Sequence, residues 1–83
     1  MTERITFGQL EAVLADLGFK KTVIPGSHVN FEHPEAGMIA PVRLYKAREL
    51  ASRFALAGIR HDLEVLGVVN GSQFDEMLKA VAA

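Results

Sequence analysis

The amino-acid sequence predicts a single α+β domain over residues 1–83, in which helices cover one face of three antiparallel strands. A hydrophobic content of 49% is ample for one small core and argues against disorder. Residues 28–33 alternate between polar and apolar side chains, as a half-buried strand does. Apolar residues recur at helical spacing before and after this region. The order of elements places all helices on one sheet face and leaves the other face open.

The first helix is predicted over residues 7–17. Thr6 and Gln9 have the spacing of a capping box, in which each side chain satisfies a free backbone N–H at the helix start. Gly18 is a typical stop signal. The apolar positions at helical spacing are Phe7, Leu10, Leu14 and Leu17.

Three strands follow. Residues 20–24 form a short β-type run that ends in the turn sequence Pro25-Gly26-Ser27. The alternating run 28–33 comes next, so the two runs predict a hairpin. A third strand is predicted over 38–45, where Pro41 requires an edge or non-bonding position because it has no N–H.

The chain is predicted to be helical from Lys46 onward. A first stretch, 46–58, ends at Gly58, and a shorter helix covers 60–69. The last helix is predicted to be capped by Ser72 and Asp75. The apolar side of the first stretch is Leu50, Phe54 and Ala57, and that of the last helix is Phe74, Met77, Leu78 and Val81.

Charge and cysteine content limit the functions that the chain can have. The formal net charge is −1 with a pI of about 6.3, so any nucleic-acid interface must be a local basic patch. The chain has no cysteine, which rules out disulfides and thiolate zinc sites and fits a cytoplasmic protein. No stretch approaches the roughly 18 apolar residues of a membrane span, and the N-terminus has no signal-peptide pattern. We therefore expect a cytoplasmic protein with no membrane partner.

The strand 28–33 carries the most informative polar residues. By its alternation, Val29 and Phe31 face the helices, whereas His28, Asn30 and Glu32 face outward. The simpler interpretation is a solvated strand face, since exposed polar residues are the norm. The functional interpretation is that His28 is a general acid/base, because imidazole exchanges a proton near neutral pH.

Metal binding is not favoured on this strand. Successive outward side chains are about 6 to 7 Å apart at the backbone. One histidine and one carboxylate are also too few ligands for a typical metal site. We expect no metal and no other cofactor.

His33, which precedes Pro34, is expected to end the strand, and His61 is expected to be a surface or capping residue at a helix start.

The stretch "LEAVLADLGFKKTVIPGSHVNFEHP" resembles the N-terminal half of the HicA-type, or YcfA-like, family of small bacterial mRNA interferase toxins. The resemblance covers residues 4–45 with the order and spacing of the elements intact. The matching features are a helix ending in Gly18-Phe19, the triplet Gly26-Ser27-His28, Phe31 within an alternating strand, and His33-Pro34 at its end.

The resemblance implies a fold similar to a double-stranded-RNA-binding domain, an α-β-β-β-α sandwich. It also implies metal-independent mRNA cleavage with His28 as general acid/base, and a HicB-type antitoxin that covers this site. Phosphate contacts would then have to come from local cations and from residues near the histidine. The candidate RNA-binding residues are Gly26, Ser27, Asn30, Lys20, Lys21, Arg43 and Lys46.

Two departures from the family keep other functions open. The chain is slightly acidic, with Glu32 and Glu35 near the histidine, and the stretch 46–58 lies outside the resemblance. A non-catalytic RNA- or protein-binding module on the same fold is therefore an alternative. A third interpretation is a small protein dominated by self-association, because residues 50–69 contain short apolar helical segments. An open reading frame for an antitoxin next to this one would favour the toxin.

Overall fold

A computed structural model describes residues 4–82 and shows a mixed α+β fold with an open antiparallel sheet. The coarse fold class predicted from the sequence is confirmed. The elements in chain order are α1 (Phe7–Asp16), β1 (Lys20–Ile24), β2 (His28–His33), β3 (Gly37–Met38), β4 (Val42–Arg43), α2 (Arg53–Leu66) and α3 (Gly71–Ala82).

The first half of the chain follows its local sequence signals. Thr6 and Gln9 form the reciprocal capping box at the start of α1, and Gly18 adopts a φ of 98° just after its end. β1 and β2 form the predicted hairpin, with Lys20 opposite Glu32 and Ile24 opposite His28. These predictions are confirmed to within one residue.

The third strand is not continuous as predicted. Both β3 and β4 pair with the same side of β2, and residues 39–41 between them leave the regular ladder. Pro41 has no N–H, and the Ala40 N–H donates to the Asp62 carboxylate of α2 at 2.9 Å instead of to a strand. The predicted strand also extends too far, because Tyr45 leaves the sheet and stacks on Phe7 with ring centroids 4.2 Å apart.

The prediction that residues 46–58 are helical is wrong for 46–52. The carbonyls of Ala47 and Glu49 accept hydrogen bonds from the N–H groups of Gly8 and Phe7, at 2.9 and 2.8 Å. These donors are free at the start of α1, so this segment caps that helix with its own backbone. A helix over 46–52 would need the same carbonyls internally.

The phase of α2 also differs from the prediction. Its N-cap is Ser52, whose hydroxyl accepts from the Ala55 N–H at 3.0 Å, and the helix runs through Gly58 without a break. Leu56, Ile59 and Leu63 consequently form the buried side. Phe54, predicted to lie on the apolar side of this stretch, lies opposite the buried side of α2 with 92% of its surface exposed.

The last helix forms as predicted but is capped by other residues. Asn70 and Gln73 exchange side-chain-to-backbone hydrogen bonds at 2.8 and 3.1 Å, in place of the predicted Ser72 and Asp75. Asp75 instead accepts two hydrogen bonds from the Arg60 guanidinium, each 3.1 Å long. This pair fastens α3 to α2.

The helices and one face of the sheet enclose a single core. α3 packs against both α1 and α2, and the Gln9 side chain donates to the Val81 carbonyl of α3 at 2.9 Å. Within residues 4–82, no helix is long and apolar enough to cross a membrane. The main core residues are Leu10 and Leu14 of α1, Val29 and Phe31 of β2, Leu56, Ile59 and Leu63 of α2, and Phe74 and Leu78 of α3.

Candidate functional site

The sheet face opposite the helices carries the candidate site, which we call the outer face. Val29 and Phe31 are buried against the helices, so the alternate residues of β2 lie on the outer face. Ile24 and Met38, on neighbouring strands of this face, keep 36% and 46% of their surface exposed. No helix therefore covers these positions. The register defines three rows across the strands: Ile24–His28–Arg43, Thr22–Asn30 and Lys20–Glu32–Met38.

His28 is held at the start of β2 by a tight turn. The Ser27 N–H donates to the Ile24 carbonyl at 3.0 Å, and Gly26 has a φ of 72°, which favours glycine at this turn position. The His28 side chain is half-buried, and its Nδ1 lies 2.6 Å from the Ser27 hydroxyl oxygen. When Nδ1 carries the proton and donates to Ser27, Nε2 is left as a base. The turn therefore fixes one ring nitrogen and leaves the other for a ligand.

Asn30 lies next to His28 on the outer face and is half-buried. Its Oδ1 is shielded from solvent and has no hydrogen-bond partner within residues 4–82. A buried acceptor without a partner is uncommon and calls for an explanation. Turning this carboxamide outward toward a ligand would break no hydrogen bond of its Oδ1.

Lys21 lies on the helix side of the sheet, away from His28. Its partner in the register is the buried Phe31, and its ammonium group is 2.8 Å from the Glu11 carboxylate of α1. The Tyr45 hydroxyl donates to the same carboxylate. Burial, reinforced by this hydrogen bond, raises the pKa of Tyr45 far above its usual range. Lys21 therefore belongs to a contact between the sheet and α1.

Arg43 is opposite His28 in the register, but its charge is already paired. The guanidinium donates to the Glu49 carboxylate, and this hydrogen bond lowers the pKa of Glu49. Its central carbon also lies 5.4 Å from the ring centroid of Phe7, a buried residue of α1. The guanidinium thus extends toward the helix layer, and the pair stays ionised at neutral pH.

The remaining predicted cations are exposed and in no ion pair within the described part of the chain. Lys20 lies on the outer face, directly opposite Glu32. Lys46 lies beyond β4, in the segment that caps α1. The structure therefore brings Ser27, His28 and Asn30 together, with Lys20 on the same face.

The other two histidines take structural and surface positions. The His33 Nδ1 accepts hydrogen bonds from the backbone N–H groups of Glu35 and Ala36, both at 3.1 Å. Its ring meets the buried Phe19 edge to face at 5.3 Å. His61 is exposed, as predicted, but lies inside α2 and not at a helix start.

Metal ligands are not grouped in the described chain. Across residues 4–82, no set of three or more His, Cys, Asp or Glu side chains is arranged to hold a metal ion. Sequence reasoning did not identify Glu49 as the partner of Arg43. A carboxylate six residues from a cation has no regular spacing on a helix or a strand, so no local pattern marks the pair.

Comparison with family models, curated proteins and solved structures finds no match to this chain.

Proposed function

We propose that this chain is an RNA-cleaving protein of the HicA type, in which His28 acts as general acid/base on the outer face of the sheet. The observation that carries this proposal is the half-buried imidazole at the rim of an uncovered sheet face, with Nδ1 held by Ser27 and Nε2 unengaged within the described residues. A histidine in the core, or behind a helix, could not meet a ribose-phosphate chain.

The chemistry uses the 2′-hydroxyl of the RNA itself. Nε2 of His28 accepts the 2′-OH proton, the 2′-oxygen bonds to the adjacent phosphorus, and the bond from phosphorus to the 5′-oxygen breaks. The imidazolium formed in the first step can return its proton to the departing 5′-oxygen. The products are a 2′,3′-cyclic phosphate and a 5′-hydroxyl. A single positioned acid/base of this kind contributes about 10²- to 10⁴-fold to a rate.

Ser27 and Asn30 support this reaction in different ways. Ser27 acts as a positioning residue, because its hydroxyl fixes the orientation of the His28 ring at 2.6 Å. Asn30 can offer its carboxamide to a ribose or phosphate oxygen. Among the described residues, Lys20 is the candidate cation on the outer face that is in no ion pair and can contact a phosphate.

The resemblance extends the proposal to the fold and to a partner. It implies a sandwich of the double-stranded-RNA-binding type. On this proposal, the chain differs from that sandwich in its broken third strand and in the segment 46–52. It also implies that a HicB-type antitoxin covers the outer face and blocks access to His28.

Incubation of the purified protein with an oligoribonucleotide in the presence of a chelator tests the proposal. We expect cleavage to a 2′,3′-cyclic phosphate, no cleavage of an oligonucleotide with 2′-deoxyribose, and a loss of at least about 100-fold in rate for His28→Ala. His61→Ala is the matched control, since this exposed histidine lies on α2, away from the outer face. Equal rates for wild type and His28→Ala would refute the role of His28.

A second function, a non-catalytic RNA- or protein-binding module, is favoured by the charge pairing. Glu49 neutralises Arg43 and Glu11 neutralises Lys21, which leaves little positive charge to stabilise a phosphorane-like transition state. Salt-dependent RNA binding without strand scission would favour an RNA-binding module. Absence of RNA binding would favour a module that binds protein alone.

A further inference from the structure

The solvent side of α2 carries a stripe, consisting of Phe54, Gly58, His61 and Val65, that no other part of residues 4–82 covers. These positions are four, three and four residues apart, which is the spacing of a helix-pairing seam. Phe54 and Val65 keep 92% and 70% of their surface exposed, the two largest fractions among the exposed large hydrophobic residues. The stripe faces away from the buried side of the helix.

Contacts within residues 4–82 do not explain why the stripe has these residues. Phe54 and Val65 are not among the residues that pack against the core. A Cβ placed on Gly58 would meet no atom within 4 Å, so no neighbour requires a glycine at that position. Glycine inside an exposed helix costs about 1 kcal/mol relative to alanine. A second helix packed closely on Gly58 would explain both features.

We propose that α2 pairs with α2 of a second copy of this chain, antiparallel, about a two-fold axis between Gly58 and His61. In this register Phe54 of each copy packs on Val65 of the other, and Gly58 lies opposite His61. The stripe is therefore complementary to itself, as a two-fold interface requires. The bulky and small positions alternate, so the helices approach where the glycine lies.

Charge decides between antiparallel and parallel pairing. The row of α2 beside the stripe has Arg53 at its start and Glu64 near its end, and both are exposed. One Glu64 carboxylate oxygen accepts from the Gly71 N–H at 2.7 Å, which leaves the other oxygen for a cation, and Arg60 of the same row is paired with Asp75. Antiparallel pairing brings each Arg53 toward Glu64 of the other copy, whereas parallel pairing would place like charges together. The helix dipoles also favour the antiparallel arrangement.

The size of the surface limits the strength of the pair. A helix of 14 residues is about 21 Å long, so one helix pair covers only a few hundred Å² of each copy. Phe54, Gly58 and His61 of the stripe also line a groove of about 400 Å³ between α2 and residues 40–43, so the apolar residues Pro41 and Val42 border the same surface. This total is at the low end for specific association, and we expect a dissociation constant on the order of 100 µM.

Sedimentation velocity from about 10 µM to about 1 mM tests this interface. We expect a monomer–dimer equilibrium that Phe54→Lys and Val65→Lys each weaken by about 10-fold or more, with circular dichroism spectra unchanged. Val23→Lys is the matched control, because Val23 is an exposed valine that lies on β1 and not on α2. A monomer at every concentration, or equal weakening by Val23→Lys, would overturn the proposal.

Disulfide trapping tests the register, since the chain has no cysteine of its own. Mixing the Gly58→Cys and His61→Cys variants under mild oxidation should give mainly the mixed dimer. A preference for the two homodimers would overturn the antiparallel arrangement. Neither experiment depends on any activity toward RNA, so this inference and the proposed function stand or fall separately.

Discussion

The two ends of β2 each carry a histidine, and the two side chains have opposite surroundings. His28, at the first position, lies on the outer face, and within residues 4–82 its ring is hydrogen-bonded to the Ser27 hydroxyl alone. His33, at the last position, lies against Phe19 and accepts two backbone N–H groups of the following turn. The two residues are five positions apart, an odd number, so the pleat of the strand points them to opposite faces.

This difference separates a histidine that can do chemistry from one that holds the fold. A ring nitrogen that already accepts hydrogen bonds from the backbone has no lone pair left at that atom for a substrate proton. Removing such a histidine should lower the free energy of unfolding and leave the outer face unchanged. The His28 ring, at the uncovered rim of the sheet, is free to meet a substrate. Removing it should change activity and leave stability almost unchanged. The predictions below test this contrast in order of decreasing expected effect.

Beyond the loss of cleavage expected for His28→Ala, replacing His33 should give the largest effect. His33→Ala removes an acceptor for two backbone N–H groups and an edge-to-face contact with Phe19, so we expect the free energy of unfolding to fall by about 2 kcal/mol. That is roughly 30-fold in the folding equilibrium and about 10 °C in Tm for a domain of this size. Urea denaturation followed by circular dichroism measures it. His28→Ala is the control, expected to change stability by less than about 0.5 kcal/mol, and equal losses for the two variants would erase the contrast.

Removing the Ser27 hydroxyl should have the next largest effect, and only on activity. Ser27→Ala frees the His28 ring to rotate and to change tautomer, so we expect RNA cleavage to slow by about 10-fold with KM for RNA little changed. Ser27→Thr keeps the hydroxyl and should restore most of the rate. A Ser27→Ala variant with the wild-type rate would show that the 2.6 Å contact has no role in positioning.

Freeing Arg43 should give the smallest effect, and it is a gain. Glu49→Gln removes the carboxylate that pairs with Arg43, which leaves a cation opposite His28 in the register. We expect RNA to bind about 3-fold more tightly at low salt, with the salt dependence of log K steeper by about one phosphate contact. Glu76→Gln is a suitable control, since Glu76 lies on α3. Unchanged or weaker binding by Glu49→Gln would show that Arg43 does not face the RNA even when it is unpaired.

The sequence predicts the α1–β2 region well because its signals are local. The capping box at Thr6, the turn at Gly26 and the alternation over 28–33 each depend on neighbours in the chain, and each forms as predicted. The outward position of His28 follows from that alternation.

The region 38–58 was predicted poorly because its partners are distant in sequence. Asp62 draws the Ala40 N–H out of the ladder, and the N–H groups of Phe7 and Gly8 use the carbonyls that a helix over 46–52 would need. The charges follow the same rule. From the sequence, Lys21 and Arg43 are candidates for an RNA-binding patch. In the structure each is paired with a glutamate, Glu11 and Glu49 respectively, and no local spacing in the sequence predicts these pairs.

The central claim is that RNA reaches His28 on the outer face and does not reach His33. The chain has three histidines, so their ring Hε1 signals can be resolved by NMR and assigned with the His→Ala variants. An oligoribonucleotide blocked at its 2′-hydroxyls cannot be cut by the proposed reaction. On its addition, we predict that the His28 signal and the backbone amides of residues 20–24 and 28–32 shift, while the His33 signal stays in place. An unmoved His28 signal at about 1 mM RNA, or shifts confined to the helices, would contradict the account.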